Sequence, residues 1–125
     1  MSVPNSFTSY FANVRNLPSD VAPIAICVKA PDGWTGLHYP KLAPPKWLFW
    51  EWKKNHDETL YIDVFTREIL QNLDPDIVWN ELLVLSGGRP FALICFEKPG
   101  DFCHRHLVSE WLRRADHPIY EWTKS

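Results

Sequence analysis

The sequence predicts an α/β fold, a small Rossmann-like and mostly parallel sheet of about four or five strands with helices packed on it. Three observations lead there. Short β-prone runs alternate with segments of helical periodicity. The run Phe91 to Phe96 is continuously apolar, the pattern of a strand covered on both faces. The chain has 125 residues, which suits one domain over residues 1–125 and is short for two.

Taken in order, Phe7 to Val14 is β-prone and aromatic and predicts a first strand. Val21 to Val28 predicts a second, with Pro23 placing its start at an edge or at the strand's beginning. Lys29 to Pro45 carries Pro31, Asp32, Gly33, Gly36, Pro40, Pro44 and Pro45, so a long loop without regular structure is expected. Lys46 to Lys54 fits a helix with Trp47, Phe49 and Trp50 near one side. Glu58 to Asn72 is a clearer helix, with Leu60, Tyr61, Val64, Phe65, Ile69 and Leu70 at helical spacing. Asp74-Pro75-Asp76 is a helix start, and Gly87-Gly88 ends the helix Ile77 to Leu85. Arg89 to Glu97 then reads as a buried strand and Lys98-Pro99-Gly100 as a turn. Asp101 is placed to cap a helix Phe102 to Arg114, and Pro118 to Trp122 predicts a last strand.

Composition narrows the function classes. A hydrophobic content of 46% and an aromatic content of 14% exclude a disordered chain. A net charge of -2 leaves no global electrostatic footprint for nucleic acid. The three cysteines, Cys27, Cys95 and Cys103, are an odd set without regular spacing, so no disulfide framework is expected. Met1 to Pro18 lacks the apolar stretch of a secretory leader, and no apolar run approaches the ~20 residues of a membrane span. A cytoplasmic protein with free thiols and no membrane partner is the expectation.

The segment from Glu97 to Arg105 concentrates the chemistry. In open α/β sheets ligands bind beyond the carboxyl ends of strands. With Asp101 as the cap, Cys103 falls near the second helical position. The unpaired N–H groups and the helix dipole there favour a thiolate. Arg105 adds a positive charge, and with the same N–H groups it could hold a phosphate or carboxylate. Leu107, Val108, Trp111 and Leu112 define the buried helix face, which includes His104, while His106 points away. Side chains lean toward the helix N-terminus, so His104 leans toward Glu97. The layout expected is Cys103 as nucleophile, His104 as base and Glu97 as its orienting partner.

Plainer readings stand beside these. His104 fits a hydrogen-bonded core histidine, Arg105 a partner for Glu97 or Asp101, and Cys95 and Cys27 core thiols. Cys103 with His104, Cys95 or His106 offers soft ligands, but the spacing matches no standard zinc pattern, and neither metal nor cofactor is expected. No phosphate-cradling glycine loop, serine elbow or metalloprotease helix is present. Trp47, Trp50 and Trp52 interleave with Lys46, Lys53 and Lys54, a pattern suited to stacking single-stranded nucleic acid or to covering a core. The loop Trp34 to Pro45 could bring Tyr39 and His38 to a pocket at the strand ends.

The run Cys95-Phe96-Glu97-Lys98-Pro99-Gly100-Asp101-Phe102-Cys103-His104-Arg105 resembles the signature of the domain-of-unknown-function family 488. Thr8-Ser9-Tyr10-Phe11 resembles the family's opening strand, and Leu42-Ala43-Pro44 resembles a further element. The similarity runs over most of the chain, and the Cys-His-Arg step is its most specific part. It implies a small α/β protein, and the family's cysteines suggest an enzyme without naming a substrate. Cys95, Glu97, Cys103, His104 and Arg105 match the motif, which weakens the core-only reading of Cys95.

The functional expectation is a small enzyme with Cys103 as its reactive group. His104 would act as acid or base, Glu97 would orient it, and Arg105, with Cys95 and Tyr39 nearby, would bind an anionic, phosphate- or nucleotide-bearing substrate. The alternative is a binding module for nucleic acid or protein using Trp47, Trp50, Lys53 and Lys54.

Overall fold

The computed structural model describes residues 6–97 and 101–123. The turn expected at Lys98-Pro99-Gly100 lies outside the described residues.

Among the described residues five strands form one sheet: β1 (Ser6–Tyr10), β2 (Ala22–Ala25), β3 (Leu37–His38), β4 (Phe91–Cys95) and β5 (Ile119–Glu121). Their order is β3-β2-β4-β1-β5, and every pairing is parallel. All five residues of β4 are buried, as its unbroken apolar sequence requires of a central strand. Four helices follow the expected segments: α1 (Lys46–Asn55), α2 (Glu58–Glu68), α3 (Pro75–Leu85) and α4 (His104–Arg114).

The two sheet faces are covered differently. Ala22, Ile24, Phe91 and Leu93 join Leu48, Phe65, Leu82, Val108 and Leu112 of the helices in the main core. Ala92 and Ile94, one residue out of phase along β4, face the other way. There they meet Phe7, Phe11, Val14, Leu17 and Trp34. Alternation therefore puts Cys95, which follows Phe91 and Leu93, on the helix-covered face where α4 begins.

Several boundaries depart from expectation, each for a local reason. The first strand stops at Tyr10 because the chain turns into a 3-10 segment, Phe11–Asn16, whose Phe11 and Val14 cover the second face. The second strand is shorter than Val21 to Val28, since only Ala22–Ala25 pair with β4. Pro23 pairs beyond the end of β3, where β2 has one strand neighbour and a missing donor costs nothing. The loop after β2 is not devoid of structure. It contains β3 and a 3-10 turn, Pro40–Leu42. Helix α2 ends at Glu68 instead of running to Asn72, and a separate 3-10 turn, Leu70–Asn72, leads to an extended Leu73. That extended residue presents Asp74, whose Oδ1 accepts from the N–H groups of Asp76 at 2.8 Å and Ile77 at 3.4 Å. At the other end of α3, Gly87 and Gly88 have φ of 70° and 78°, the left-handed backbone that closes a helix, as expected there.

Candidate active site

The carboxyl ends of β2 and β4 open onto a cavity of about 450 Å³. Its walls come from Cys27, Val28 and Lys29 after β2, from Cys95, Phe96 and Glu97 at the end of β4, and from Phe102, Cys103 and His104 at the start of α4. Helix α1 adds Lys46, Phe49, Trp50 and Trp52, and Tyr61 of α2 closes the inner side. The position matches the rule that open parallel sheets bind ligands beyond their carboxyl edge.

Cys103 is the N-cap of α4, in extended conformation, so it stands one step before the helix and not at its second position. Asp101 does not cap this helix, and no side chain among the described residues does. The early helical positions are held instead by buried side chains. His104 is 6% exposed and Arg105 is fully buried. The buried face of α4 consists of His104, Arg105, Val108, Ser109 and Leu112, with Leu107 and Trp111 half-buried. It is turned toward Arg105 relative to the face expected from the apolar residues alone.

His104 is oriented by the main chain. Its Nε2 lies 2.7 Å from the Ile26 carbonyl oxygen, and a carbonyl only accepts, so Nε2 carries the proton. Nδ1 is then left with a lone pair, 3.8 Å from the Cys103 Sγ. Burial pushes the His104 imidazole down to about 4; the bond to Ile26 opposes this, and the neighbouring Arg105 charge pushes the same way as burial. The ring is neutral at pH 7. Glu97 is not its partner. Glu97 lines the cavity, and its carbonyl oxygen accepts from Arg105 Nη1.

Arg105 is committed to the fold. Nε and Nη2 each lie 3.0 Å from one oxygen of Glu121, and Nη1 bonds the Glu97 carbonyl oxygen and lies 3.3 Å from the Cys95 Sγ. The Tyr10 ring packs 5.7 Å from the guanidinium. Arg105 therefore does not line the cavity, and the anion-binding part expected of it has no free guanidinium to perform it. Among the described residues the cations at the cavity are Lys29 and Lys46, which the sequence did not single out for this purpose. Tyr39 is also elsewhere. Its hydroxyl donates to Glu81 of α3, beside a shallower cleft lined by His38, Ile77 and Val84. Burial and the Glu81 carboxylate raise its pKa well above the usual phenol value.

The three cysteines converge on one cavity, which their sequence spacing did not reveal. Cys95 and Cys103 are joined through their sulfurs, with Cα atoms 7.3 Å apart. Free thiols were expected, and Cys27 alone keeps one. The pairing follows from topology, since the end of β4 and the start of α4 meet on the same sheet face. Cys27 donates to the Lys29 carbonyl oxygen at 3.3 Å, and burial raises its pKa. The donor atoms of Cys95, Cys103 and His104 lie within 4.8 Å of one another. This trio suits a metal poorly, because the sulfurs are bonded to each other and a fixed guanidinium stands beside one of them.

The aromatic-basic segment divides between two surroundings. Trp52 packs inward on Phe102 and Tyr61, with ring centres 4.7 Å and 5.9 Å away. Trp50 lines the cavity and is 62% exposed, while Trp47 is 50% exposed. Lys53 sits 5.3 Å over the Phe49 ring, and Lys54 lies 3.9 Å from Glu51. No helix among the described residues is long and apolar enough to cross a membrane.

A family model, DUF488-N3a, described as the active DUF488-N3 subclade, matches residues 9–116. Neither the curated proteins nor the solved structures contain a match.

Proposed function

Since this chain belongs to the DUF488 family, in a subclade described as active, we propose that it is a small enzyme whose nucleophile is Cys103 in its reduced form. The observation that carries this reading is the fixed tautomer of His104. With Nε2–H held on the Ile26 carbonyl oxygen, the Nδ1 lone pair faces Cys103 at the floor of the cavity. As the thiol attacks, its proton passes to Nδ1, and the Ile26 carbonyl supports the imidazolium that forms. Burial disfavours that cation at rest, so the resting pair is a neutral thiol and a neutral imidazole.

The substrate is an anion with a flat apolar body, of the phosphate- or nucleotide-bearing kind. Phe49, Trp50 and Phe102 supply the apolar wall, and Lys29 and Lys46 supply the positive charge at the rim. Arg105 takes no part in binding and fixes the start of α4 instead.

The test is alkylation of the reduced native protein, followed at each cysteine as a function of pH. Cys103 reacts faster than Cys27, whose buried thiol has a raised pKa. His104→Gln slows Cys103 by at least about tenfold at neutral pH, the scale of losing a general base. Cys103 reacting no faster than Cys27 removes the reading.

A second reading is favoured by the exposure of Trp47 and Trp50. These rings, with Lys53 and Lys54, would stack and neutralise a single-stranded nucleic acid along α1, with Trp47 on its outer side and Trp50 at the cavity mouth.

A further inference from the structure

Cys95 has an environment of its own that the nucleophile reading leaves unused. Its Sγ lies 3.3 Å from Nη1 of Arg105, a guanidinium that is fully buried and held in place by Glu121. A cation so fixed favours the thiolate at Cys95 when the pair is reduced. On the other side, the Cys103 sulfur faces the proton-accepting Nδ1 of His104. The two sulfurs share one buried spot at the cavity floor, 1% and 6% exposed respectively as residues. Cys27, in the same cavity wall, donates its thiol to the Lys29 carbonyl oxygen.

We propose that Cys95 is the resolving thiol of Cys103, and that peroxide converts the pair reversibly into an intramolecular disulfide that blocks the nucleophile. The Cys103 thiolate attacks one peroxide oxygen, the O–O bond breaks, and Cys103 becomes a sulfenic acid. The departing hydroxide takes the proton held by His104 and leaves as water. The Cys95 thiolate then attacks the Cys103 sulfur, the S–S bond forms and the S–O bond breaks. The second hydroxide takes the proton originally lost by Cys95. Two thiols and one hydrogen peroxide thus give one disulfide and two waters, with sulfur oxidised and peroxide oxygen reduced. An external dithiol restores the reduced pair by exchange. The proposal rests on the reactivity of Cys103 and not on the identity of its substrate.

The chain carries a convenient cleavage point between the two cysteines. Glu97 separates them, so digestion after glutamate places Cys95 in peptide 82–97 and Cys103 in peptide 98–110. The fully reduced protein is titrated with hydrogen peroxide, blocked with an alkylating agent and digested. The expected result is the linked pair 82–97 with 98–110, a loss of two hydrogens from the intact mass, and Cys27 still open to alkylation. In Cys95→Ser, checked for native circular dichroism, Cys103 instead accumulates a sulfenic acid that dimedone traps. Sulfinic acid on Cys103 beside an alkylated Cys95 in the unaltered chain overturns the proposal. So does a link through Cys27, a link between two molecules, or a metal ion released from the purified protein by peroxide. Alkylation of the reduced protein separates the two ideas. A reactive Cys103 that forms no link leaves the nucleophile standing and removes the resolving role, and an inert Cys103 removes both.

Discussion

Arg105 and Glu121 meet side-on, with two guanidinium nitrogens each 3.0 Å from one carboxylate oxygen, and this pair ties the first turn of α4 to the edge strand β5. Thr8 of β1 adds a hydroxyl donor to the same carboxylate at 2.6 Å. The pair therefore fixes the place where Cys103 enters the cavity floor, although neither residue lines the cavity.

Removing Glu121 strands a fully buried cation. Glu121→Ala is expected to cost about 3 kcal/mol, the low end for breaking a buried pair, because the Glu121 side chain is 21% exposed and water can partly replace it. Urea unfolding measures this directly. A loss under ~0.5 kcal/mol, typical of a surface substitution, contradicts the buried pairing.

The depressed pKa of His104 makes stability depend on pH in a defined window. The unfolded imidazole binds a proton below ~6.5, and the folded one only near 4. Its contribution is complete above the unfolded value and is lost as pH falls toward the folded value. The loss between those limits amounts to about 3 kcal/mol. Unfolding midpoints across that range should fall steeply, and His104→Gln should flatten the fall. An unchanged acid slope in the variant excludes His104 as its source.

The cap of α3 gives a smaller and more local effect. Asp74→Ala removes the acceptor for two backbone N–H groups and should destabilise by about 1 kcal/mol. Val84→Ala, on the same helix and 81% exposed, should change stability by less than about 0.5 kcal/mol. Equal effects of the two substitutions speak against the cap.

The two binding readings separate on neighbouring residues of α1. A nucleotide in the cavity predicts about tenfold weaker binding for Lys46→Ala and for Trp50→Ala, with Lys53→Ala neutral, read by calorimetry. A nucleic acid on the outer side predicts losses for Trp47→Ala and Lys53→Ala and a steep fall of affinity with salt. Binding insensitive to every one of these changes disposes of both.

How much the sequence disclosed depended on the range of the interactions. β4 was legible because its apolar run records burial in the run itself, and α3 was legible because Asp74, Gly87 and Gly88 act within a few residues. His104 and Cys103 were singled out by their place at a helix start, but the partner of His104 is a main-chain carbonyl at Ile26, and carbonyls leave no mark in a sequence. Glu97 was the nearest candidate and the wrong one for that role. Arg105 drew attention as a cation, whereas its counter-charge Glu121 lies sixteen residues on and beyond the helix. The shared floor of Cys95 and Cys103, and the nearness of Cys27, follow from strand order, which no local pattern encodes.

The position of β4 bears on how the chain reaches this state. It lies between β1 and β2, and those two strands never pair with each other. Phe7 therefore waits for Ala92, and Pro23 waits for the same residue. During synthesis the first three strands are made long before the strand that would join them. Until then only the brief β2–β3 pairing is open to them, and the apolar edges of β1 and β2 have no native neighbour. Assembly of the sheet is thus a late event governed by long-range closure. The cavity floor depends on that late strand, because Cys95 ends β4 and Cys103 and His104 come after it in the chain.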